Sequence, residues 1–194
     1  ASRRFVRRKR FGDIRPAVER LEDRTLLSAT HPLPLSSLDG TNGFRFESPG
    51  WSVSSAGDFD HDGFDDLLVG DYATSRVSLV FGSDDAFPAS VSTASLDGDT
   101  GFIMNGPADS ETGSSVSSIG DINGDSFHDF LIGASKAGSG WSGRAYVVLG
   151  SGTHSAASVQ LETDAAFQLN PITGDEIGGH GDRFGLAVSA AGDM

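Results

Sequence analysis

The chain has 194 residues, of which 37% are hydrophobic and 26 are glycine, a composition typical of a loop-rich all-β protein. It has no cysteine and therefore no disulfide, and no apolar run approaches the roughly 18 residues of a membrane-spanning helix. The net charge of −13 is uneven, because residues 1–30 carry +5 and residues 31–194 carry −18. An acidic body is unsuited to nucleic acid, whose phosphates need Lys and Arg, and it favours cations as partners.

Residues 1–30 form a basic N-terminal arm with six basic side chains in its first ten positions. Pro16 suits the first turn of a helix, so we expect the arm to be disordered or to hold one short helix. A nucleic-acid-binding arm is the alternative, but no aromatic platform or known module follows it. The segment LEDRTLLSA, residues 21–29, resembles the LEPR-XLL sorting motif of large secreted or surface proteins of bacteria. That resemblance implies an extracytoplasmic location, secreted or at the cell surface.

Short sequence markers recur in one order along the acidic body, at a spacing of about 58 to 72 residues. LDGTNGFRF (38–46) returns as LDGDTGFIM (96–104), and SVSSAGD (52–58) returns as SVSSIGD (115–121) and then as AVSAAGD (187–193). Each copy predicts several short strands, because its apolar runs are bounded by Gly, Asp and Ser. We therefore divide the body into three predicted units: residues 31–95, residues 96–160 and the truncated residues 161–194.

Two longer segments, WSVSSAGDFDHDGFDDLLVGDY (51–72) and SSVSSIGDINGDSFHDFLIGAS (114–135), resemble the FG-GAP repeats of integrin α-subunit β-propellers. FGLAVSAAGD (184–193) resembles the opening of a third repeat. The resemblance implies an all-β fold of FG-GAP-type β-propeller blades, about two and a half repeats of a partial propeller. Incomplete propellers expose strand edges, so we expect additional blades from a longer chain or self-association through those edges.

The segment GDFDHDGFDDLLVG (57–70) places five aspartates within nine positions, and like charges so close repel unless a cation lies among them. Counted from Asp58, oxygen-bearing side chains fall at positions 1, 3, 5 and 9, and the loop from Asp121 repeats this spacing. With a backbone carbonyl at position 7, each loop suits Ca²⁺, which takes six to eight oxygen ligands. The predicted ligands are Asp58, Asp60, Asp62, Phe64 and Asp66 in the first loop and Asp121, Asn123, Asp125, Phe127 and Asp129 in the second.

Other readings of these loops are weaker. Mg²⁺ prefers a tighter octahedron with retained waters, and zinc needs Cys or His ligands. An EF-hand needs a Glu at position 12 and flanking helices, whereas position 12 is Val69 or Ile132, inside strand-like runs. The loops should therefore join two strands, with His61 and His128 facing solvent and taking no part in metal binding. The remaining alternative is that the Asp-Gly clusters are simply turns.

The sequence predicts that the chain is not an enzyme, because it has no Cys nucleophile, no G-x-S-x-G elbow and no H-E-x-x-H motif. We expect a calcium-binding propeller segment of an exported or cell-surface bacterial protein that acts as a binding or adhesion scaffold. Its partner would be an extracellular protein or carbohydrate, with Trp141 as an exposed anchor. Two alternatives stay open: an accessory repeat domain of a larger surface hydrolase, or a fragment of a longer coding sequence without independent activity.

Overall fold

The computed structural model describes residues 34–153, 156–171 and 181–191, so the basic arm and its sorting motif lie outside the described residues. Within them the regular secondary structure is almost entirely β-strand, as the sequence predicts. The helical segments in this part are α1, Leu161–Asp164, and three 3-10 turns at Leu35–Ser37, Thr93–Ser95 and Ser139–Trp141. No helix in the described part of the chain is long and apolar enough to cross a membrane.

Eleven strands are present in the described residues, and most are three to six residues long. The strands of the first half are β1, Arg45–Glu47; β2, Ser52–Gly57; β3, Asp66–Asp71; β4, Arg76–Val80; β5, Ser90–Ser92; and β6, Gly101–Asn105. Those of the second half are β7, Thr112–Gly120; β8, Asp129–Ala134; β9, Arg144–Val148; β10, Ser158–Gln160; and β11, Phe167–Leu169.

Nine of these strands form two sheets, in the orders β10-β6-β4-β3-β2 and β11-β9-β8-β7. Neighbouring strands are antiparallel, except that β10 runs parallel to β6, and β1 and β5 form a separate parallel pair. The strands β2 to β4, and likewise β7 to β9, come from one sequence repeat. The next strand outward, β6 or β11, comes from the repeat that follows. A sheet is therefore not the same unit as a sequence repeat.

The hydrophobic core lies between the two sheets, where side chains of both form one buried cluster. Leu68 of β3 and Leu79 of β4 face it from the first sheet, and Phe130 and Ile132 of β8 face it from the second. All four are fully buried. Burying a side chain of this size contributes about 1.5–3 kcal/mol, so this contact between sheets is a main source of stability.

A second, smaller cluster lies on the opposite face of the first sheet. Because successive side chains of a strand alternate between faces, Leu67 and Val80 point away from the main core. They pack there with Val91 of β5 and with Leu96, beside the half-buried Phe87. This face becomes important below, because a cleft opens over it.

Glycines allow consecutive repeats to approach closely. A Cβ atom on Gly70 of β3 would lie 2.4 Å from the carbonyl oxygen of Gly113, and one on Gly133 of β8 would lie 1.9 Å from that of Gly185. Gly113 and Gly185 have φ angles of +86° and +80°, a region that favours glycine. Gly70 and Gly133 are at equivalent positions of their repeats. The same kind of glycine–glycine contact with the next repeat therefore occurs twice, as Gly70–Gly113 and as Gly133–Gly185.

Candidate metal centre

Two hairpin loops carry the predicted metal ligands. The first connects β2 to β3 and is closed by the pair Gly57 and Asp66, and the second connects β7 to β8 and is closed by Gly120 and Asp129. The prediction that these loops join strands rather than helices is confirmed. Each loop therefore begins after a glycine and ends on a buried aspartate.

In the first loop the carboxylates turn back onto the loop's own backbone. Asp58 Oδ2 accepts a hydrogen bond from the N–H of Gly63 at 3.1 Å. Asp60 Oδ1 accepts one from the N–H of Asp62 at 3.2 Å, and Asp62 Oδ1 accepts one from the N–H of Phe64 at 2.8 Å. One ligand atom from each of Asp58, Asp60 and Asp62 lies within 4.8 Å of the other two. Alternate residues of the turn thus converge on one point, as their spacing predicts.

The second loop repeats these bonds one for one. Asp121 Oδ2 accepts from the N–H of Ser126 at 2.8 Å, Asn123 Oδ1 from that of Asp125 at 3.0 Å, and Asp125 Oδ1 from that of Phe127 at 3.0 Å. Ser126 has a φ of 75°, at the position where the first loop has glycine. Its N–H bond is the main cause that lowers the pKa of Asp121, so this side chain is ionised at neutral pH.

The ninth-position residues, Asp66 and Asp129, lie buried at the bases of the loops. Asp66 accepts hydrogen bonds from the N–H of Phe59 at 2.8 Å and from the N–H of Gly82 at 2.7 Å, one on each oxygen. Asp129 accepts two bonds of 2.8 Å from the equivalent residues of its own repeat. The Asp66 carboxylate is not part of the group gathered within 4.8 Å. The structure therefore brings positions 1, 3 and 5 of the first loop together, and position 9 ties each loop to the segment just after β4 or β9.

The charge of Asp66 depends on its surroundings. Burial raises its pKa to about 7, against the N–H bonds from Gly82 and Phe59, which lower it. The nearby carboxylates of Asp60 and Asp62 raise it further. A cation bound in the loop would oppose both the desolvation and the like charges, since it favours the ionised form of a neighbouring carboxyl.

One oxygen of the first loop has no partner in the protein. Asp58 Oδ1 is, in the described part of the chain, the one buried side-chain oxygen or nitrogen without a hydrogen bond. Leaving such a group unsatisfied costs about 1–3 kcal/mol. Together with the three convergent carboxylates, this oxygen fits a hard cation that takes oxygen ligands, as Ca²⁺ does. The part played by the carbonyls of Phe64 and Phe127 stays a prediction.

The prediction that His128 faces solvent is wrong. Its ring is half-buried, and Nδ1 accepts a hydrogen bond from the N–H of Asp58 at 3.0 Å. The N–H of His128 donates in turn to the carbonyl oxygen of Asp58 at 3.1 Å, so the two loops are joined directly. The equivalent residue of the first loop is Asp65, so comparing the repeats gives no signal for this contact. His61, by contrast, is exposed as predicted.

Trp141, the predicted anchor, lies outside the metal centre in the segment between β8 and β9. Its side chain is 55% exposed, and Lys136 Nζ lies 5.4 Å from its ring centroid. Lys136 also pairs with Glu111 at 2.6 Å, and Ser135 Oγ donates to the same carboxylate at 2.6 Å. Both bonds lower the pKa of Glu111, and the bond from Lys136 is the larger cause. The exposure of Trp141 agrees with the prediction, but its role as an anchor remains untested.

Residues 49–80 and 112–148 match the family model of the FG-GAP repeat. These two segments are FG-GAP repeats. The first match begins just before β2 and ends with β4, and the second begins with β7 and ends with β9. Each therefore covers three strands and the aspartate loop. The predicted all-β fold of FG-GAP blades is therefore confirmed. The third repeat stays a prediction, although Gly185 lies against Gly133 as Gly113 lies against Gly70.

The FG-GAP repeats also relate the chain to named proteins. Its alignment with integrin alpha-3 of Cricetulus griseus is 32% identical over 145 residues. The aligned stretch covers 74% of this chain and 13% of that protein. The alignment with integrin alpha-3 of Mus musculus is 38% identical over 90 residues, and the aligned stretch covers 46% of this chain and 8% of that protein. The chain spans only this small part of the length of these relatives.

Proposed function

We propose that the chain is a calcium-stabilised segment of FG-GAP blades, from an exported or cell-surface bacterial protein that serves as a scaffold for binding or adhesion. The observation that carries the calcium part is the first loop, where three carboxylates converge within 4.8 Å beside the unpartnered, buried Asp58 Oδ1. The matching hydrogen bonds of the second loop support a second site of the same kind.

The ion would act on stability by removing charge repulsion and by holding each hairpin in one conformation. The side chains of Asp58, Asp60 and Asp62 would hold it in the first loop, and those of Asp121, Asn123 and Asp125 in the second. Asp66, Asp129 and the carbonyls of Phe64 and Phe127 would complete the two sets. Asp66 and Asp129 can add a ligand atom without losing their backbone bonds, since each carboxylate oxygen has two lone pairs.

The expected gain in stability is modest for each site. Extracellular calcium modules bind with dissociation constants of roughly 10⁻⁴ to 10⁻³ M. At millimolar calcium and the tight end of that range, binding to the native state alone adds about 1.4 kcal/mol per site. Such an ion supports the fold without being required for every strand, because the core between the sheets is apolar.

The scaffold part of the proposal is supported by the likeness of the repeats to integrin alpha-3. The exported location and bacterial source are supported by the sorting-motif resemblance of residues 21–29, which lie outside the described residues. No catalytic role enters the proposal, since the sequence predicts a structural protein. Its partner would be an extracellular protein or a carbohydrate.

The calcium proposal is tested by thermal unfolding of the full chain, followed by circular dichroism, in millimolar calcium and in chelator. Calcium should raise the melting temperature by about 3–5 °C per site for a chain of this size. Asp60→Ala should lose about half of the rise, and Asp60→Ala combined with Asn123→Ala should lose all of it.

Asp65→Ala is the matched control, because this exposed aspartate lies in the same loop but outside the predicted ligand set. It should keep the full calcium effect. Magnesium at the same concentration should give a smaller rise, because it prefers a tighter octahedral site. An unchanged melting temperature in calcium would overturn the proposal and leave the aspartates as turn residues.

A further inference from the structure

The residue at position 2 of each aspartate loop has a different environment in the two repeats. Phe59 of the first loop is 1% exposed and belongs to the core between the sheets. Its ring centroid lies 5.1 Å from that of Phe130, and its carbonyl oxygen accepts a hydrogen bond from the N–H of Ser151 at 3.1 Å. Ile122 holds the same position in the second loop and is 52% exposed. The second loop therefore presents to solvent an apolar side chain whose counterpart is part of the core.

A cleft of about 240 Å³ opens on the outer face of the first sheet, over the smaller hydrophobic cluster. Three of its lining residues are the counterparts of residues in the second repeat that contact Phe59. Leu67 corresponds to Phe130, Gly82 corresponds to Gly150, and Ser83 corresponds to Ser151. The first sheet thus carries, on its outer face, the same kind of receiving surface that the second sheet uses for Phe59.

Other side chains on the two outer faces show the same relation. Phe102 of β6 is buried in the core, whereas its counterpart in β11, Phe167, is exposed. Val116 of β7 is also buried in the core, whereas its counterpart in β2, Val53, is 65% exposed. Phe167 lies with Ile122 on the outer side of the second sheet, and Val53 lies with the cleft on the outer side of the first. Exposed apolar residues that share a face mark interaction sites.

We propose that copies of this chain associate head to tail, with Ile122 of one copy seated in the cleft of the next. The occupant is a second copy because the contact between the two repeats of one chain already shows which residues fill such a cleft. The N–H of Ser83 then donates to the carbonyl oxygen of Ile122, as the N–H of Ser151 donates to that of Phe59.

The geometry of one chain keeps the two surfaces apart. The sheets pack through their inner faces, so the outer faces that carry Ile122 and the cleft point away from each other. The contact is therefore heterologous, and each dimer keeps one free surface of each kind, so that association continues or closes a ring. Such assembly acts through sheet faces rather than strand edges, and it requires neither calcium in the loops nor the binding of another protein.

The test is sedimentation velocity of the full chain from micromolar to submillimolar concentrations, in millimolar calcium throughout. We expect the weight-average mass to rise with concentration above the 20.2 kDa of one chain. Ile122→Gln should weaken association by about tenfold or more, because it places a polar amide against the apolar cleft. Leu35→Gln is the matched control, since Leu35 is an exposed apolar side chain that does not line the cleft. It should change the association constant by less than about twofold.

A mixture of two variants tests the head-to-tail direction. Ser83→Arg places a long charged side chain at the cleft and keeps Ile122, whereas Ile122→Gln keeps the cleft intact. Each variant alone should stay monomeric at concentrations where the unaltered chain associates. An equimolar mixture should form a dimer that grows no further, because each partner contributes one intact surface.

A mass of one chain at every concentration would overturn the inference and leave the two surfaces to further repeats of a longer polypeptide. Association that Ile122→Gln weakens no more than Leu35→Gln would also overturn it, and would point to strand edges or to the basic arm. A mixture that stays monomeric would refute the head-to-tail contact.

The outcome is separable from that of the calcium proposal. Association without a calcium shift of the melting temperature supports the contact between copies and overturns the calcium sites, and a calcium shift without association does the reverse. Melting curves of the variants, matched to that of the unaltered chain, show that a loss of association is not a loss of folding.

Discussion

The N–H of Asp58 and the Nδ1 atom of His128 are joined by a 3.0 Å hydrogen bond, although the two residues belong to different FG-GAP repeats. The imidazole lies so close to the first repeat that a Cβ atom on Gly57 would be 1.8 Å from Nδ1. Asp58 therefore takes part in both aspartate loops. Its side chain belongs to the first aspartate loop, and its backbone holds the second.

Replacing His128 by Ala should destabilise the chain by about 1–2 kcal/mol, because the Asp58 N–H loses its acceptor and the ring leaves a gap. The free energy of unfolding in urea measures this. His61→Ala is the control, since that side chain is 60% exposed, and it should change stability by less than about 0.5 kcal/mol. Equal effects of the two substitutions would show that the bond between the loops contributes nothing.

Gly133→Ala should cost about 2 kcal/mol or more, because the new methyl group would meet the backbone of Gly185, which cannot move aside as a side chain can. Urea unfolding again gives the value. Gly152→Ala is a suitable comparison, since the nearest atom to its Cβ would be a Phe127 ring carbon at 3.3 Å. If Gly133→Ala were as mild as Gly152→Ala, the close approach of consecutive repeats would be refuted.

Asp66→Asn separates the anchoring role of position 9 from metal binding. An amide has a single acceptor oxygen, so one of the two buried N–H groups that Asp66 now satisfies would lose its partner. In chelator at pH 8, the variant should lose about 2 kcal/mol of stability. Asp60→Asn should lose almost none under the same conditions, and should reduce only the calcium effect. A stable Asp66→Asn in chelator would mean that Asp66 acts only through the ion.

The Glu111–Lys136 pair predicts a pH dependence of stability. The pKa of Glu111 is lowered in the folded chain, so its contribution is complete above the ordinary pKa of a glutamate. It is lost as the pH falls through the lower folded value. Unfolding in urea between pH 3 and pH 6 should show that Glu111→Gln removes about 1 kcal/mol at pH 6 and less at pH 3.

The difference between the two proteins at each pH is the quantity to compare, because Asp39, Asp97 and Asp164 also have lowered pKa values and add their own pH dependence to both proteins. Glu47→Gln is the control for this pair. Glu47 and its partner Arg45 are more than half exposed and should contribute little. A constant difference from pH 3 to pH 6 would argue against the pairing.

Local patterns predicted the strands, the two hairpin loops and the convergence of positions 1, 3 and 5. Each of these depends on residues near one another in sequence, where alternation and turn chemistry act. The separate place of Asp66 was not predictable in this way. The spacing of the aspartates predicts the same role, metal ligand, for Asp66 and Asp60. The burial of Asp66 and its bond to Gly82 depend instead on β4, which begins ten residues later.

The pairing of β6 with β4 was also beyond the sequence patterns. The marker LDGDTGFIM groups β6 with the repeat that it opens, while its backbone hydrogen bonds go to the repeat before it. A contact between repeats that occurs only once, such as that of His128 with Asp58, produces no recurring pattern in the sequence. Such contacts need the three-dimensional arrangement of both repeats.

The strand that each sheet takes from the following repeat affects how such an array can grow. Copying residues 38–95 would add β2, β3 and β4 with β1, which the sequence markers place where β6 stands, so each β4 would take its neighbouring strand from the segment that follows it. Copying residues 50–111 would add β2, β3, β4 and β6 together, which is a complete set. Both duplications produce the same periodic sequence, but only the second adds β2, β3, β4 and the strand that pairs with β4 as one continuous segment. Inheritance of whole units would therefore favour breakpoints between β6 and β7, away from the points at which the sequence markers begin.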